Sequence, residues 1–216
     1  AHEWDKTFPK SDHVTHEKVT FTTNFGITLA ADLYKPRNAE GALPAIAVSG
    51  PFGAVKEQAS GLYAQTMAER GFLTIAFDPS FTGESGGAPR YMSSPDINTE
   101  DFLSAVDYLV CREDVDGDRV GIIGICGWGG IALNAAAADP RIKATLASTM
   151  YDLCRISGNG YNDSADDAAT RIASRKLVAA QRTADRLSGE QALPGGVADP
   201  MPDDAPQFAK DYHAYY

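Results

Sequence analysis

Few folds accommodate the order of residues between Val120 and Gly130. A β-branched run, Gly121-Ile122-Ile123-Gly124-Ile125, stops at Cys126 and passes at once into Gly127-Trp128-Gly129-Gly130. Small helix formers follow: Ala132, Leu133, Ala135, Ala136, Ala137 and Ala138. This reads as a strand, a sharp turn and a helix, with a thiol at the apex. A side chain held there points off the sheet and over the N-terminus of the next helix. The unpaired N–H groups and partial positive charge of a helix start favour negative charge at that point. The arrangement is that of a nucleophile elbow, with cysteine where serine is commoner.

The segments around it repeat one pattern. Val19, Phe21 and Thr23 alternate with polar neighbours, Asn24-Phe25-Gly26 signals a turn, and Ile27 to Tyr34 alternates again, which predicts an antiparallel pair. Leu43 to Val48 and Phe72 to Phe77 are almost uniformly apolar, as strands covered on both faces are, and Ile142 to Met150 reads as one more strand. Amphipathic helices are expected from Lys56 to Arg70 and from about Asn98, with acids in the first turn. Asp114 to Asp118 reads as a turn. The fold class is therefore α/β: a three-layer sandwich around a mostly parallel sheet led by an antiparallel pair. One domain is expected over 1–216, with a polar surface arm (1–16), a sheet core (17–150) and a helical cap or tail (151–216). In the tail, Ser164 to Ser188 reads as one long helix or two short ones. Ala192 to Asp204 reads as a loop and Ala205 to Tyr216 as a short helix.

Composition narrows the partners. A formal net charge of −10 argues against nucleic acid or an anionic membrane surface, which want a basic face. No apolar run reaches the roughly 20 residues needed to span a bilayer. Three cysteines, Cys111, Cys126 and Cys154, fit no disulfide framework and suit a reducing, cytoplasmic setting. They also lack the paired spacing of a zinc site, so neither metal nor cofactor is expected. The glycine-rich stretch Gly83 to Gly87 lacks the Lys-Ser/Thr of a phosphate-binding loop.

The elbow, the leading strand pair and the strand–helix order together resemble the α/β-hydrolase fold. They are most similar to bacterial hydrolases of the dienelactone-hydrolase-like and acyl-peptidase-like group. The matching pieces are Lys18 to Phe21, Ile27 to Tyr34, Asp78 to Gly87 with its Gly-Glu-Ser-Gly-Gly, Gly124 to Gly130, and Met150-Tyr151-Asp152. They span the chain to about Asp163. Two departures stand out. Trp128 occupies the place two residues after the nucleophile that is usually glycine, which predicts an indole overhanging the site. Only one strand is legible after the elbow, whereas the resemblance implies an acid after a later strand and a histidine after the last. The chain thus reads as the N-terminal part of a longer polypeptide, whose remainder would be its partner. An uncovered sheet edge would also invite self-pairing into a homo-oligomer.

The resemblance assigns candidate roles. Cys126 takes the nucleophile position; elsewhere a free cysteine is more often a small buried hydrophobe, the role left to Cys111 and Cys154. The Gly127 and Phe52 N–H groups are the expected oxyanion donors, although Gly50 to Gly53 also reads as a simple turn. Asp152 is a candidate acid or an ordinary helix cap. Asp78 is expected to fix the glycine-rich loop. Trp128, Tyr151 and Phe52 are candidate pocket residues, with core packing as the competing explanation. His2, His13, His16 and His213 all read as surface residues. The implied activity is thiolate acyl transfer on an ester, lactone or thioester. The competing reading is an inactive binding or scaffold protein on the same fold.

Overall fold

A computed structural model describes residues 4–192 and 200–215 of the chain. His2, Tyr216 and most of the proline- and glycine-rich loop expected at 192–204 fall outside the described residues. The chain divides into two compact units, Ala1–Leu153 and Cys154–Tyr216.

The first unit is built on one mixed sheet of order β1-β2-β4-β3-β5-β6. Strands β1 (Val14–Thr22) and β2 (Thr28–Pro36) pair antiparallel across the Asn24-Phe25-Gly26 turn, where Gly26 takes a left-handed φ of +76°. β2 also runs antiparallel to β4 (Leu73–Phe77). β3 (Leu43–Ser49), β4, β5 (Val115–Ile125) and β6 (Ile142–Ser148) are mutually parallel. Their uniform apolar sequence serves both faces. On β3, Ala45 and Ala47 point into one core cluster and Ile46 and Val48 into the other; on β5, Ile122 and Ile123 divide in the same way.

Crossover handedness explains the layers. β4 lies on one side of β3 and β5 on the other. Right-handed connections therefore send α1 (Ala59–Glu69) to one face, and α2 (Pro95–Val110) and α3 (Gly127–Ala138) to the opposite one. Phe102, Ala105, Val106 and Leu109 of α2 and Ile131, Ala132 and Ala135 of α3 pack on the first cluster. Ala64 and Ala68 of α1 pack on the second. The α1 face is only partly covered: an open apolar groove of about 540 Å³ runs beside α1, lined among others by Ile46, Met67, Phe72, Ile123 and Leu146. β6 forms the adjacent sheet edge, and its Leu146 is 49% exposed.

The structure corrects three local expectations. The arm does not stay on the surface: Lys6, Phe8 and Val14 are buried, and β1 begins at Val14. Its apolar residues are spaced too irregularly to show a period. Of the expected Asp114 to Asp118 turn, Asp114 alone lies in one; Val115 to Asp118 enter β5 through a register shift, with Leu43 opposite Val115 but Ala45 opposite Val120. Helix α2 starts earlier, at Pro95 after Ser94, because the Asn98 side chain accepts the Ser94 N–H (2.8 Å) and closes the helix start. Asp101 consequently sits buried within the helix, where it receives Ser80 N–H and Oγ–H at 2.8 and 2.6 Å.

The second unit is helical: the residues after the α4 start (Leu153–Asn159), a 3-10 turn (Tyr161–Asp163), α5 (Ala168–Ser188) and α6 (Gln207–Tyr215). α5 is a single helix, capped by Asp167 accepting Thr170 N–H (2.9 Å) and closed by left-handed Gly189. No helix among the described residues is long and apolar enough to cross a membrane.

Candidate active site

Strand becomes helix at one residue. Cys126 N–H donates to Ser148 O (2.9 Å), extending the β5–β6 ladder, while Cys126 O accepts Gly129 N–H (2.9 Å) and opens α3. Both hydrogen bonds are made with Cys126 at φ +60°, ψ −127°. A side chain other than glycine in that region costs about 1–3 kcal/mol. Such strain persists where surrounding structure over-determines it, and here a paired strand and a packed helix do so. Cys126 is partly exposed; Cys111 and Cys154 are more so.

Close packing explains the glycines. A Cβ on Gly124 would stand 2.7 Å from Ala132 Cβ and closer still to Trp128 O, so α3 lies directly on the end of β5. A Cβ on Gly129 would stand 2.5 Å from Met150 Cβ, and one on Gly130 3.1 Å from Tyr151 O. The segment after β6 therefore presses on the other flank of the helix.

The place two residues after Cys126 is filled differently from the usual elbow pattern. Trp128 does not overhang the site; it is 1% exposed and belongs to the core under α2 and α3. Room for its Cβ comes from Gly50 on the facing loop, where an added Cβ would stand 2.9 Å away and closer still to Ile125 O. Gly50 also takes a φ of +98°. The missing glycine of the elbow thus reappears across the contact, one strand away. The Trp128 ring stacks on Phe52 (5.7 Å between centroids), and Phe52, 39% exposed, is the member of the pair that reaches solvent.

This contact brings the loop after β3 against the elbow. Among the described residues, neither Gly127 N–H nor Phe52 N–H donates to another residue. Tyr63 Oη lies 3.3 Å from Ser148 Oγ, on the residue whose carbonyl holds Cys126 N–H. Tyr151 is half-buried, and Asp152 is exposed beside the start of α3.

Asp78 does fix the glycine-rich loop: its carboxylate accepts Glu84 N–H (2.9 Å), and a Cβ on Gly83 would fall on it. His16 is not a free surface residue. Its Nε2 lies 2.8 Å from Oδ1 of buried Asp32, with Trp4 and Tyr34 packed on the ring. It sits on β1, four strands from β5 and so about 19 Å across the sheet. His13 is exposed just before β1, and His213 is exposed on α6 in the second unit. The buried charges around Lys6 and Lys56 were not legible in the sequence, because the partners are separated by tens of residues.

A mixed sheet with this strand order, a strained residue at the strand–helix turn and a backbone loop pressed against it define an α/β-hydrolase fold. The α/β hydrolase GrgF from Penicillium sp. sh18 superposes with a TM-score of 0.72 at 26% identity, over 93% of this chain and 65% of its own. Residues 26–197 match the X-Pro dipeptidyl-peptidase (S15) family, and the chain belongs to that family. The uncharacterized protein PA2218 of Pseudomonas aeruginosa is 58% identical over 99% of this chain and 57% of its own length. Its crystal structure superposes with a TM-score of 0.93, over all of this chain and 67% of that one. The thiohydrolase aneE of Aspergillus aculeatus is 29% identical over 85% of this chain and 56% of its own. The chain thus spans a little over half the length of the curated relatives it matches.

Proposed function

We propose that the chain carries the nucleophile and oxyanion half of an acyl hydrolase acting on an ester, lactone or thioester. The observation that carries this reading is the strained φ of Cys126 at the strand–helix turn. Strain of that kind is retained where a side chain must be presented, and a buried structural cysteine has no use for it. The relative named a thiohydrolase supports a thioester as one substrate class. The Cys126 thiolate forms a C–S bond to the carbonyl carbon, and Gly127 and Phe52 N–H groups take up the charge on the oxygen. The alkoxide or thiolate then leaves with a proton. Water adds to the thioester, gives its proton to a base, and the Cys126 thiolate is released.

The proton carriers are assigned to a segment packing on the groove beside α1 and along the β6 edge. Three observations support this: His16 is committed to Asp32 on a distant strand, the groove is apolar and open, and relatives of this family are longer. The relation of Asp152 to an acid role, and of Tyr151 and Phe52 to an acyl pocket, belongs to the same proposal.

The second reading, an inactive binding protein on this fold, is favoured by the placement of the described histidines of the first unit. Turnover of a p-nitrophenyl ester and an acyl thioester by the longer protein separates the two. Loss of activity in Cys126→Ala supports the hydrolase; undiminished activity removes Cys126 from the mechanism, and no activity in the wild type favours the binding protein.

A further inference from the structure

A buried lysine outside the elbow joins the loop after β3, which borders it, to the loop after β4. Lys56 Nζ donates to Asp78 Oδ2 (3.0 Å) and Glu84 Oε2 (2.7 Å) and pairs with Glu57 Oε1 (2.7 Å). The Lys56 backbone N–H donates to the other oxygen of the same carboxylate, Asp78 Oδ1, at 2.7 Å. Both side chains are fully buried. At the far end of the loop, Ser49 Oγ donates to Phe77 O (3.1 Å). Residues 50–55 are therefore fastened at both ends to one corner of β4, Phe77-Asp78, and Phe52 lies in the span between. The N-terminal arm backs the anchor: Thr7 N–H donates to Glu57 O (2.9 Å), and Lys6 pairs with buried Asp32 (2.8 Å).

Burial by itself lowers the pKa of Lys56; Asp78, Glu57 and Glu84 reverse this and raise it above the usual 10.5. Burying an ion pair costs several kcal/mol, and apolar residues of similar volume often close such a corner at least as stably. What the pair adds is direction, because a carboxylate bound at both oxygens fixes where the Lys56 N–H and its loop must lie.

We infer that Lys56 is a positioning residue for acyl transfer: with Asp78 it sets the loop that aims the Phe52 N–H at the carbonyl oxygen above Cys126. This rests on the acyl-transfer reading of Cys126, and its test is built to fail separately from that reading. Acylation by a thioester forms a C–S bond at Cys126, loads charge on the carbonyl oxygen and expels a thiolate that takes a proton from solvent. Alkylation by iodoacetamide forms a C–S bond with loss of iodide and loads no oxygen. Lys56→Met should therefore slow single-turnover acylation on the order of 10–100-fold, with alkylation of Cys126 within about twofold of wild type. Lys56→Arg should recover part of the loss. If Lys56→Met fails to fold, Lys56→Met with Asp78→Leu removes both buried charges and takes its place.

Amide exchange of the peptide covering 50–56 reads the anchor without acyl chemistry, and should quicken about tenfold or more in Lys56→Met. Slower acylation with normal alkylation and faster exchange supports the inference. Unchanged exchange, unchanged acylation, or equal loss of acylation and alkylation overturns it. Wild-type protein that is alkylated but never acylated sinks the acyl reading; the exchange result then decides the anchor alone.

Discussion

Replacing Gly50 with alanine tests the contact between the loop after β3 and the elbow. The new Cβ would meet Trp128 Cβ at 2.9 Å and the Ile125 carbonyl at less, on a backbone with φ of +98°. Relief requires the loop to retreat by about half an ångström to 1 Å, since carbon contacts settle near 3.5 Å or beyond. The left-handed backbone costs an alanine about 1–2 kcal/mol and the overpacking about 1–3 kcal/mol. The sum, about 2–5 kcal/mol, lowers the melting temperature by roughly 4–20 °C at 2–4 °C per kcal/mol. Gly26→Ala is the control: φ is +76° and nothing lies within 4 Å of its Cβ. It should show the backbone cost alone, about 1–2 kcal/mol and a few degrees. A displacement of the Phe52 N–H on this scale should cut Cys126 acylation by a thioester on the order of 10–100-fold. Melting by calorimetry and acylation by intact mass read the two effects. Gly50→Ala that melts like Gly26→Ala, or acylates at the wild-type rate, refutes the close approach.

Further expectations follow from the same geometry. Cys126→Gly should raise the melting temperature by about 2–4 °C, because glycine takes a φ of +60° without strain, while Cys126→Ala should not; equal melting of the two removes the strain argument. Stability should fall on the acid side. Arg141 holds Asp139 below its usual 3.8, Lys56 holds Glu84 below its usual 4.5, and stability carried by lowered carboxylates is lost as pH falls through their folded pKa values. Buried Asp101, raised above 3.8, acts with the opposite sign and offsets part of that loss. On the alkaline side stability should fall above 10.5, where the lysine of the unfolded chain gives up its proton while folded Lys56 keeps its own, and chemical unfolding across pH should show this arm reduced in Lys56→Met with Asp78→Leu. Leu146→Lys on the half-exposed edge strand should leave the stability of the chain within about 1 kcal/mol of wild type and reduce its self-association in sedimentation; unchanged association clears that edge.

Legibility in the sequence followed distance along the chain. The parallel strands could be read because each is a local apolar run, and the elbow because strand, thiol and glycines are contiguous. The β5 start was misread because a register shift lets Asp116, Gly117 and Asp118 enter a strand that ordinarily excludes them. The arm was misread because Phe8 and Val14 bury without any period. Trp128 was misplaced because its space is supplied by Gly50, far off in sequence, rather than by its own neighbours. The Lys56–Asp78 anchor was invisible for the same reason: Asp78 reads as a holder of the glycine-rich loop alone, and Lys56 as the start of a helix. His16 shows the limit most plainly: it reads as the end of a polar surface arm, yet Asp32, Trp4 and Tyr34 enclose it.

The central claim is that the strained residue at the end of β5 is the acyl acceptor, and peptide-resolved mass analysis after brief exposure to an acyl thioester tests it most directly. Cys111 and Cys154 are both more exposed than Cys126, so labelling governed by access alone would favour them. The account predicts acyl mass on Cys126 well ahead of the other two, and none at that peptide in Cys126→Ala. Acylation that follows exposure, with Cys126 the last or least modified, contradicts it.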